Sequence, residues 1–130
     1  MPDNICDLTI SEYLEALACK SATPGGGSAS ALIAAQGAAL FSMVCEFTQP
    51  RDESLLKINQ ICLVTQTKLL RLVQEDIDAF NTVMNWYADK GSYQYEKAIE
   101  TAITVSLDIM REASTLADTA EYLSKKGNKN

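Results

Sequence analysis

The sequence predicts an all-α fold, an antiparallel up-down bundle of one short and three long helices. Apolar residues recur every three or four positions along nearly the whole chain, and Val, Ile and Thr never form the alternating run of a strand. The segments between these periodic stretches are short, which favours antiparallel neighbours. Because the 130 residues contain no repeat and no linker, we expect residues 1–130 to form a single domain.

The first two helices are predicted from local start and stop signals. Thr9 and Glu12 have the spacing of a capping box, so the short first helix is expected to begin after Thr9. The second helix is expected from about Ser28 to about Thr48, because Ser28 can cap it and Pro50 follows it.

The third and fourth helices are the longest in the prediction. The third is expected to start after Asp52 and to continue to about Ala88, with apolar residues in a three-four rhythm. The fourth is expected from around Ser92 to Lys126, where lysines suit the end of the helix dipole and Gly127 supplies a stop.

The second helix is unusual because one stretch of it has very small side chains. Its small residues are Ala31, Ala34, Ala35, Gly37, Ala38 and Ala39. Small residues let another helix backbone come close, so we expect this helix to be the central one, or the one that crosses a partner subunit. Packing alone is sufficient to explain the stripe.

Composition excludes several classes of partner. The chain has 11 basic against 17 acidic residues and a formal charge of -6, which argues against nucleic acid, since phosphate binding needs clustered cations. Polar residues interrupt the most apolar segment, 29–47, and the N-terminus lacks the order of a signal peptide. We therefore expect a cytoplasmic protein without a membrane span.

The cysteine and histidine counts limit the chemistry. Four cysteines without a CxxC pair are expected to be reduced and mostly buried rather than bound to zinc. The chain has no histidine, which excludes every mechanism that uses imidazole as a base or a metal ligand. Acid–base chemistry is left to Asp, Glu, Lys, Tyr or Cys.

The segment TPGGGS, residues 23–28, is the first candidate site. Pro24 restricts the backbone, Gly25, Gly26 and Gly27 free it, and Ser28 can cap the following helix. A glycine turn at a helix N-terminus exposes amide N–H groups, which suit an anion or a polar oxygen of a ligand. For a glycine run taken alone, a plain loop with a serine cap is the favoured interpretation. We expect at least one of these glycines to have positive φ.

The segment VQEDIDAFN is the second candidate, with Glu75, Asp76 and Asp78 crowded into one helical turn. Asp76 shares helical spacing with Leu72 and Phe80, so it is expected toward the apolar face, where it could act as a general acid or base. A solvated acidic patch is the alternative. A metal site is less favoured, because these three acids do not face one point of the helix.

Three segments in this order resemble the cyclodeaminase/cyclohydrolase family. They are LACKSATPGGGSASALIAAQGAALFSMV at 17–44, EDIDAFNTVM at 75–84 and SKKGNKN at 124–130. The family includes the C-terminal domain of formiminotransferase-cyclodeaminase and methenyltetrahydrofolate cyclohydrolases. The resemblance covers essentially the whole chain. Two departures are a shorter segment between the third and fourth helices and an end at Asn130, so we expect the chain to be short of the family's last helices.

This resemblance implies a folate enzyme built as a dimeric or higher homo-oligomeric helical bundle. Such an enzyme cyclises 5-formiminotetrahydrofolate to 5,10-methenyltetrahydrofolate with release of ammonia, or interconverts 5,10-methenyl- and 10-formyltetrahydrofolate, without a metal or redox cofactor. The family's catalytic acid matches Asp76. The implied substrate-binding residues are Pro24, Gly25, Gly26, Gly27, Ser28 and Asn128. The alternative is a non-catalytic helical module that dimerises or binds a small ligand.

Overall fold

A computed structural model describes residues 2–128, and this part of the chain is helical with no strand. The four α-helices are α1 (Ile10–Ala18), α2 (Gly26–Phe47), α3 (Glu53–Asn85) and α4 (Tyr93–Lys126). Two short 3₁₀ turns occupy Ile5–Asp7 and Tyr87–Asp89. The predicted fold class, with one short and three long α-helices, is confirmed.

Three of the helices begin at caps that local sequence predicts. The Thr9 hydroxyl accepts from the backbone N–H of Glu12, and the Glu12 carboxylate accepts from the backbone N–H of Thr9, which completes the capping box of α1. Asp52 caps α3 by accepting from the backbone N–H of Leu55, and Ser92 caps α4 by accepting from the backbone N–H of Tyr95. Gly127 ends α4 as predicted.

Two predicted boundaries were wrong. Ser28 does not cap α2, because the helix already begins at Gly26 and Gly25 occupies the cap position without a side-chain hydrogen bond. The Ser28 hydroxyl lies inside the first turn and donates to the Gly25 carbonyl at 3.0 Å. At the other boundary, α3 stops at Asn85 and a 3₁₀ turn takes the place of the continuation predicted to Ala88.

The three long helices run up, down and up. Ser42, near the end of α2, donates a 2.6 Å hydrogen bond to Asn59, near the start of α3, so these two helices are antiparallel. Asn128, just after α4, donates from its side chain to the Phe47 carbonyl at the end of α2 (3.0 Å). The C-terminal ends of α2 and α4 therefore lie together, at the opposite end of the bundle from the start of α2.

The small residues of α2 face the bundle. The buried positions of this inner stripe are Ser28, Ala31, Ala35, Ala38, Ser42 and Cys45. They bring α2 close to the buried Leu69 and Val73 of α3, which belong to the same core as the alanines. The predicted close approach is confirmed. The prediction that α2 is the central helix is wrong, because α3 packs more extensively against α2 and α4 than these two pack against each other. The alternative, that α2 crosses a partner subunit, stays a prediction.

The opposite side of α2 forms an outer stripe of exposed apolar residues, Ile33, Leu40, Met43 and Phe47. By length and composition alone α2 is apolar enough to cross a membrane. This is weak evidence, because the core helix of a bundle has the same properties and the inner stripe is buried against α3.

All four cysteines are free, as predicted, but only two of them are buried. Cys45 and Cys62 lie inside the bundle, whereas Cys6 and Cys19 are exposed. Burial, reinforced by the neighbouring Cys45, raises the pKa of the Cys62 thiol from its ordinary value of 9.0 to about 11.

Candidate active site

The glycine loop and the acidic segment, which are distant in sequence, meet in the bundle. Gly27, in the first turn of α2, faces the carboxylate of Asp76 on α3. A Cβ atom on Gly27 would lie 2.2 Å from Oδ1 of Asp76 and 2.6 Å from its Oδ2. These distances are far inside van der Waals contact, so only a glycine leaves room for the carboxylate in this position.

A cavity of about 250 Å³ opens at this contact, between the start of α2, the C-terminal half of α3 and the N-terminal half of α4. Its lining residues are Ala22, Thr23, Gly25, Gly26, Gly27, Asp76, Phe80, Ala102 and Ser106. Larger cavities lie elsewhere on the bundle. Because this cavity joins the two predicted motifs, it is the candidate site.

Two of the three glycines are explained by other groups that lie close to their backbone, rather than by unusual dihedral angles. Between residues 2 and 128 no residue has positive φ, so the predicted left-handed glycine is wrong. Gly25 is extended, and a Cβ there would lie 3.2 Å from the Ala22 carbonyl oxygen, a tight contact. Gly27 makes room for Asp76, whereas a Cβ on Gly26 would meet nothing within 4 Å.

Hydrogen bonding distinguishes the three acids of the cluster. The Glu75 carboxylate is paired with Arg71, whose Nε lies 2.8 Å from Oε1. Asp78 is exposed and accepts a 2.8 Å hydrogen bond from Gln74. Asp76 is partly buried and has no hydrogen bond or ion pair within residues 2–128. Across the same residues, no three acidic, Cys or His side chains converge as a metal site would require.

Pro24 and Ser28 are buried and do not line the cavity. Ser28 lies close to Tyr13, whose buried hydroxyl has no hydrogen bond of good geometry. Burial raises the pKa of Tyr13, and the nearby Ser28 hydroxyl offsets part of that rise. Because Pro24 and Ser28 are absent from the cavity lining, their direct contact with a ligand stays a prediction.

Asn128 is the one predicted site residue that lies far from Asp76. Its backbone N–H donates to the Thr48 hydroxyl at 2.8 Å, at the end of α2 opposite the glycine loop. With 22 residues, α2 is about 33 Å long. One chain therefore does not bring Asn128 into the cavity of Asp76, and its contact with a substrate stays a prediction. Asn130 lies outside the described residues.

Sequence reasoning missed the contribution of α4 to this cavity. Ala102 and Ser106 line it, and the Ser106 hydroxyl donates to the Ala102 carbonyl at 3.0 Å. The sequence signal that could have indicated this contribution is the pair of small residues four positions apart on a long helix. Such a pair lies on one face of the helix and leaves space next to the adjacent helix.

The fold and this cavity define an all-helical protein with an unpartnered carboxylate beside a helix N-terminus. Residues 9–130 match the family described as Formiminotransferase-cyclodeaminase. The chain is 33% identical to the methenyltetrahydrofolate cyclohydrolase of Methylorubrum extorquens, over 94% of this chain and 66% of that protein. It is 26% identical to the formimidoyltransferase-cyclodeaminase of Rattus norvegicus, over 96% of this chain and 26% of that protein.

A solved structure also matches this chain closely. The crystal structure of formiminotetrahydrofolate cyclodeaminase from Thermotoga maritima matches with a TM-score of 0.88 and 30% identity, over 98% of this chain and 67% of that one. The chain belongs to the formiminotransferase-cyclodeaminase family, which confirms the resemblance carried by the three sequence segments.

Proposed function

We propose that this protein is a folate one-carbon enzyme whose reaction takes place at Asp76. It cyclises 5-formiminotetrahydrofolate to 5,10-methenyltetrahydrofolate with release of ammonia, or it interconverts 5,10-methenyl- and 10-formyltetrahydrofolate. The observation that carries the proposal is the unpartnered Asp76 carboxylate, which lines a cavity formed by the glycine loop. The relatives named above bear the names of enzymes for these two reactions.

Both reactions need proton transfer that one carboxylate can supply. In the cyclisation, a folate nitrogen attacks the formimino carbon and the departing nitrogen must gain protons to leave as ammonia. In the hydrolysis, a base removes a proton from water as the oxygen attacks the methenyl carbon, and the bond from that carbon to N5 then breaks as N5 gains a proton. Because Asp76 has no competing partner within residues 2–128, it is available to accept or donate that proton. We propose that no metal or redox cofactor takes part, since proton transfer completes either reaction.

The size of the cavity limits what it can hold. Its volume of about 250 Å³ is below the roughly 300–1,000 Å³ typical of ligand pockets. We propose that it holds the reacting one-carbon bridge and that the rest of the ligand lies outside it. Four free cysteines fit a reducing compartment such as the cytoplasm.

We also propose that the protein is a homodimer or a higher homo-oligomer. The outer stripe of α2 keeps four large apolar side chains in contact with water, the least covered being Ile33 at 69% and Phe47 at 68% exposure. Burying them against a second copy would remove this unfavourable exposure.

Two substrates test the enzymatic proposal and identify the reaction. Purified protein is mixed with 5-formiminotetrahydrofolate, and then separately with 5,10-methenyltetrahydrofolate, and the near-ultraviolet absorbance of the methenyl compound is followed. A rise together with ammonia release identifies the cyclodeaminase, and a fall identifies the cyclohydrolase. If the protein neither turns over nor binds either compound, the non-catalytic helical module replaces the enzyme.

A further inference from the structure

The Asp76 carboxylate occupies the position that a side chain on residue 27 would take. All three atoms closest to a Cβ built on Gly27 belong to the Asp76 carboxyl group. That group has no hydrogen bond or ion pair in the part of the chain that the structure describes. Its position therefore depends on the space that Gly27 leaves open.

The surroundings determine what would move if that space were filled. On α3, Val73 and Ile77 flank Asp76 and are buried in the core. On α2, Ala31 is fully buried one turn after Gly27. Both helix backbones are thus fixed by packing, whereas the Asp76 carboxyl can rotate about its side-chain bonds. A methyl group on Gly27 should displace the carboxylate and leave the bundle in place.

We infer that Gly27 is a positioning residue, which fixes the Asp76 carboxylate in the reactive cavity by lacking a Cβ atom. This role rests on the proposed function and differs from the direct ligand contact that the family resemblance implies for the glycine loop. It also separates neighbouring glycines, because Gly26 has open space where Gly27 has the carboxylate.

The experiment compares Gly27→Ala with Gly37→Ala, a matched control on the same helix, which lies away from the cavity and whose Cβ would meet nothing within 4 Å. A crystal structure of Gly27→Ala should show the carboxylate rotated away from α2. On the substrate that wild type turns over, kcat should fall about 10- to 100-fold, the scale of an ångström-sized misplacement, with KM within about 2-fold. Gly37→Ala should keep wild-type kcat.

Repeating the substitution in an Asp76→Asn background distinguishes a positioning role of Gly27 from damage to the bundle. If Gly27 acts through Asp76, adding Gly27→Ala to Asp76→Asn should change kcat by less than about 2-fold, whereas damage to the bundle would lower both backgrounds alike. If Gly27→Ala does not fold, refolding of the Gly27→Ala/Asp76→Gly double variant supports the inference, and failure to refold contradicts it.

Failure of the inference differs from failure of the proposed function. An unmoved carboxylate in the Gly27→Ala crystal structure overturns the inference even if wild type is active, and so does unchanged kcat. Absence of turnover by wild type overturns the proposed function. In that case the crystal structure alone decides whether Gly27 positions Asp76.

Discussion

Asp76 and Asp78 lie on the same turn of α3, and only Asp78 is held by a side-chain partner, the Nε2 of Gln74 at 2.8 Å. Asp76→Asn keeps the size of the side chain and removes its titratable proton. We expect turnover to fall by about 10²–10⁴-fold, the usual contribution of one general acid or base. Asp78→Asn should cost far less.

The measurement for this pair is kcat on the confirmed substrate, with thermal unfolding by circular dichroism to show that both variants fold. Equally mild effects of the two substitutions would show that Asp76 is not the acid–base group. A large effect of Asp78→Asn alone would move the chemistry to the exposed side of α3.

Packing of the inner stripe is tested by a leucine at two adjacent alanines. Ala38 is fully buried between α2 and its neighbours, whereas Ala39 is exposed. Ala38→Leu should lower the free energy of unfolding by about 1–3 kcal/mol through overpacking. Ala39→Leu should change it by less than about 0.5 kcal/mol. Denaturant titration measures both, and equal values would mean that the helices are not closely packed at Ala38.

The Thr48 hydroxyl joins the ends of α2 and α4, since it accepts from Asn128 N–H at 2.8 Å and donates to the Val44 carbonyl at 2.7 Å. Thr48→Val removes the acceptor of that N–H, so the free energy of unfolding should fall by about 0.5–1.5 kcal/mol, the usual net contribution of one hydrogen bond. Thr67→Val is the control, because exposed Thr67 only donates to the Leu63 carbonyl. If both cost the same, the contact with Asn128 adds no stability.

Self-association is tested on the outer stripe of α2. Leu40→Glu places a charge at the middle of the stripe, where the wild-type side chain is 55% exposed, and should convert the assembly to monomer. Met110→Glu, on α4 and also exposed, should leave the assembly intact. Sedimentation velocity at micromolar concentration distinguishes the species. A wild-type protein that sediments as a clean monomer contradicts the proposed assembly.

Alkaline pH should destabilise the fold through Cys62, because burial raises the pKa of its thiol from 9.0 to about 11. The unfolded chain ionises this thiol first, so its contribution is complete below pH 9 and is lost as pH rises toward 11. The free-energy difference between wild type and Cys62→Ala should narrow by about 1.4 kcal/mol per pH unit in this window. Denaturant unfolding from pH 8 to 10.5 measures it, and a free-energy difference that stays constant over this range contradicts the prediction.

Local signals predicted those parts of the fold that depend on neighbours in sequence. The capping box of Thr9 and Glu12, and the caps at Asp52 and Ser92, need only residues within one turn. The failed prediction at Ser28 also has a local cause, because a glycine at the cap position let α2 begin earlier than the serine suggests.

Relationships between distant segments could not be predicted in the same way. Periodicity placed Asp76 toward the bundle, but which residue lies opposite depends on the register of α2 on α3. The reason for Gly27 was therefore hidden until both helices were in place. Asn128 shows the converse, because a motif shared with a family gave no information on the length of helix that separates it from Asp76.

The α2–α3 pair is a helical hairpin whose connecting residues, 48–52, lie at the end remote from the candidate site. When such a hairpin forms from its connection outward, Gly27 and Asp76 come together last, and when the end opposite the connection frays they separate first. Amide hydrogen exchange should therefore be faster in the first turns of α2 than around Ser42, where Asn59 ties the helices near the connection. Assembly of the candidate cavity would then be a late folding event, and its opening would require far less than global unfolding.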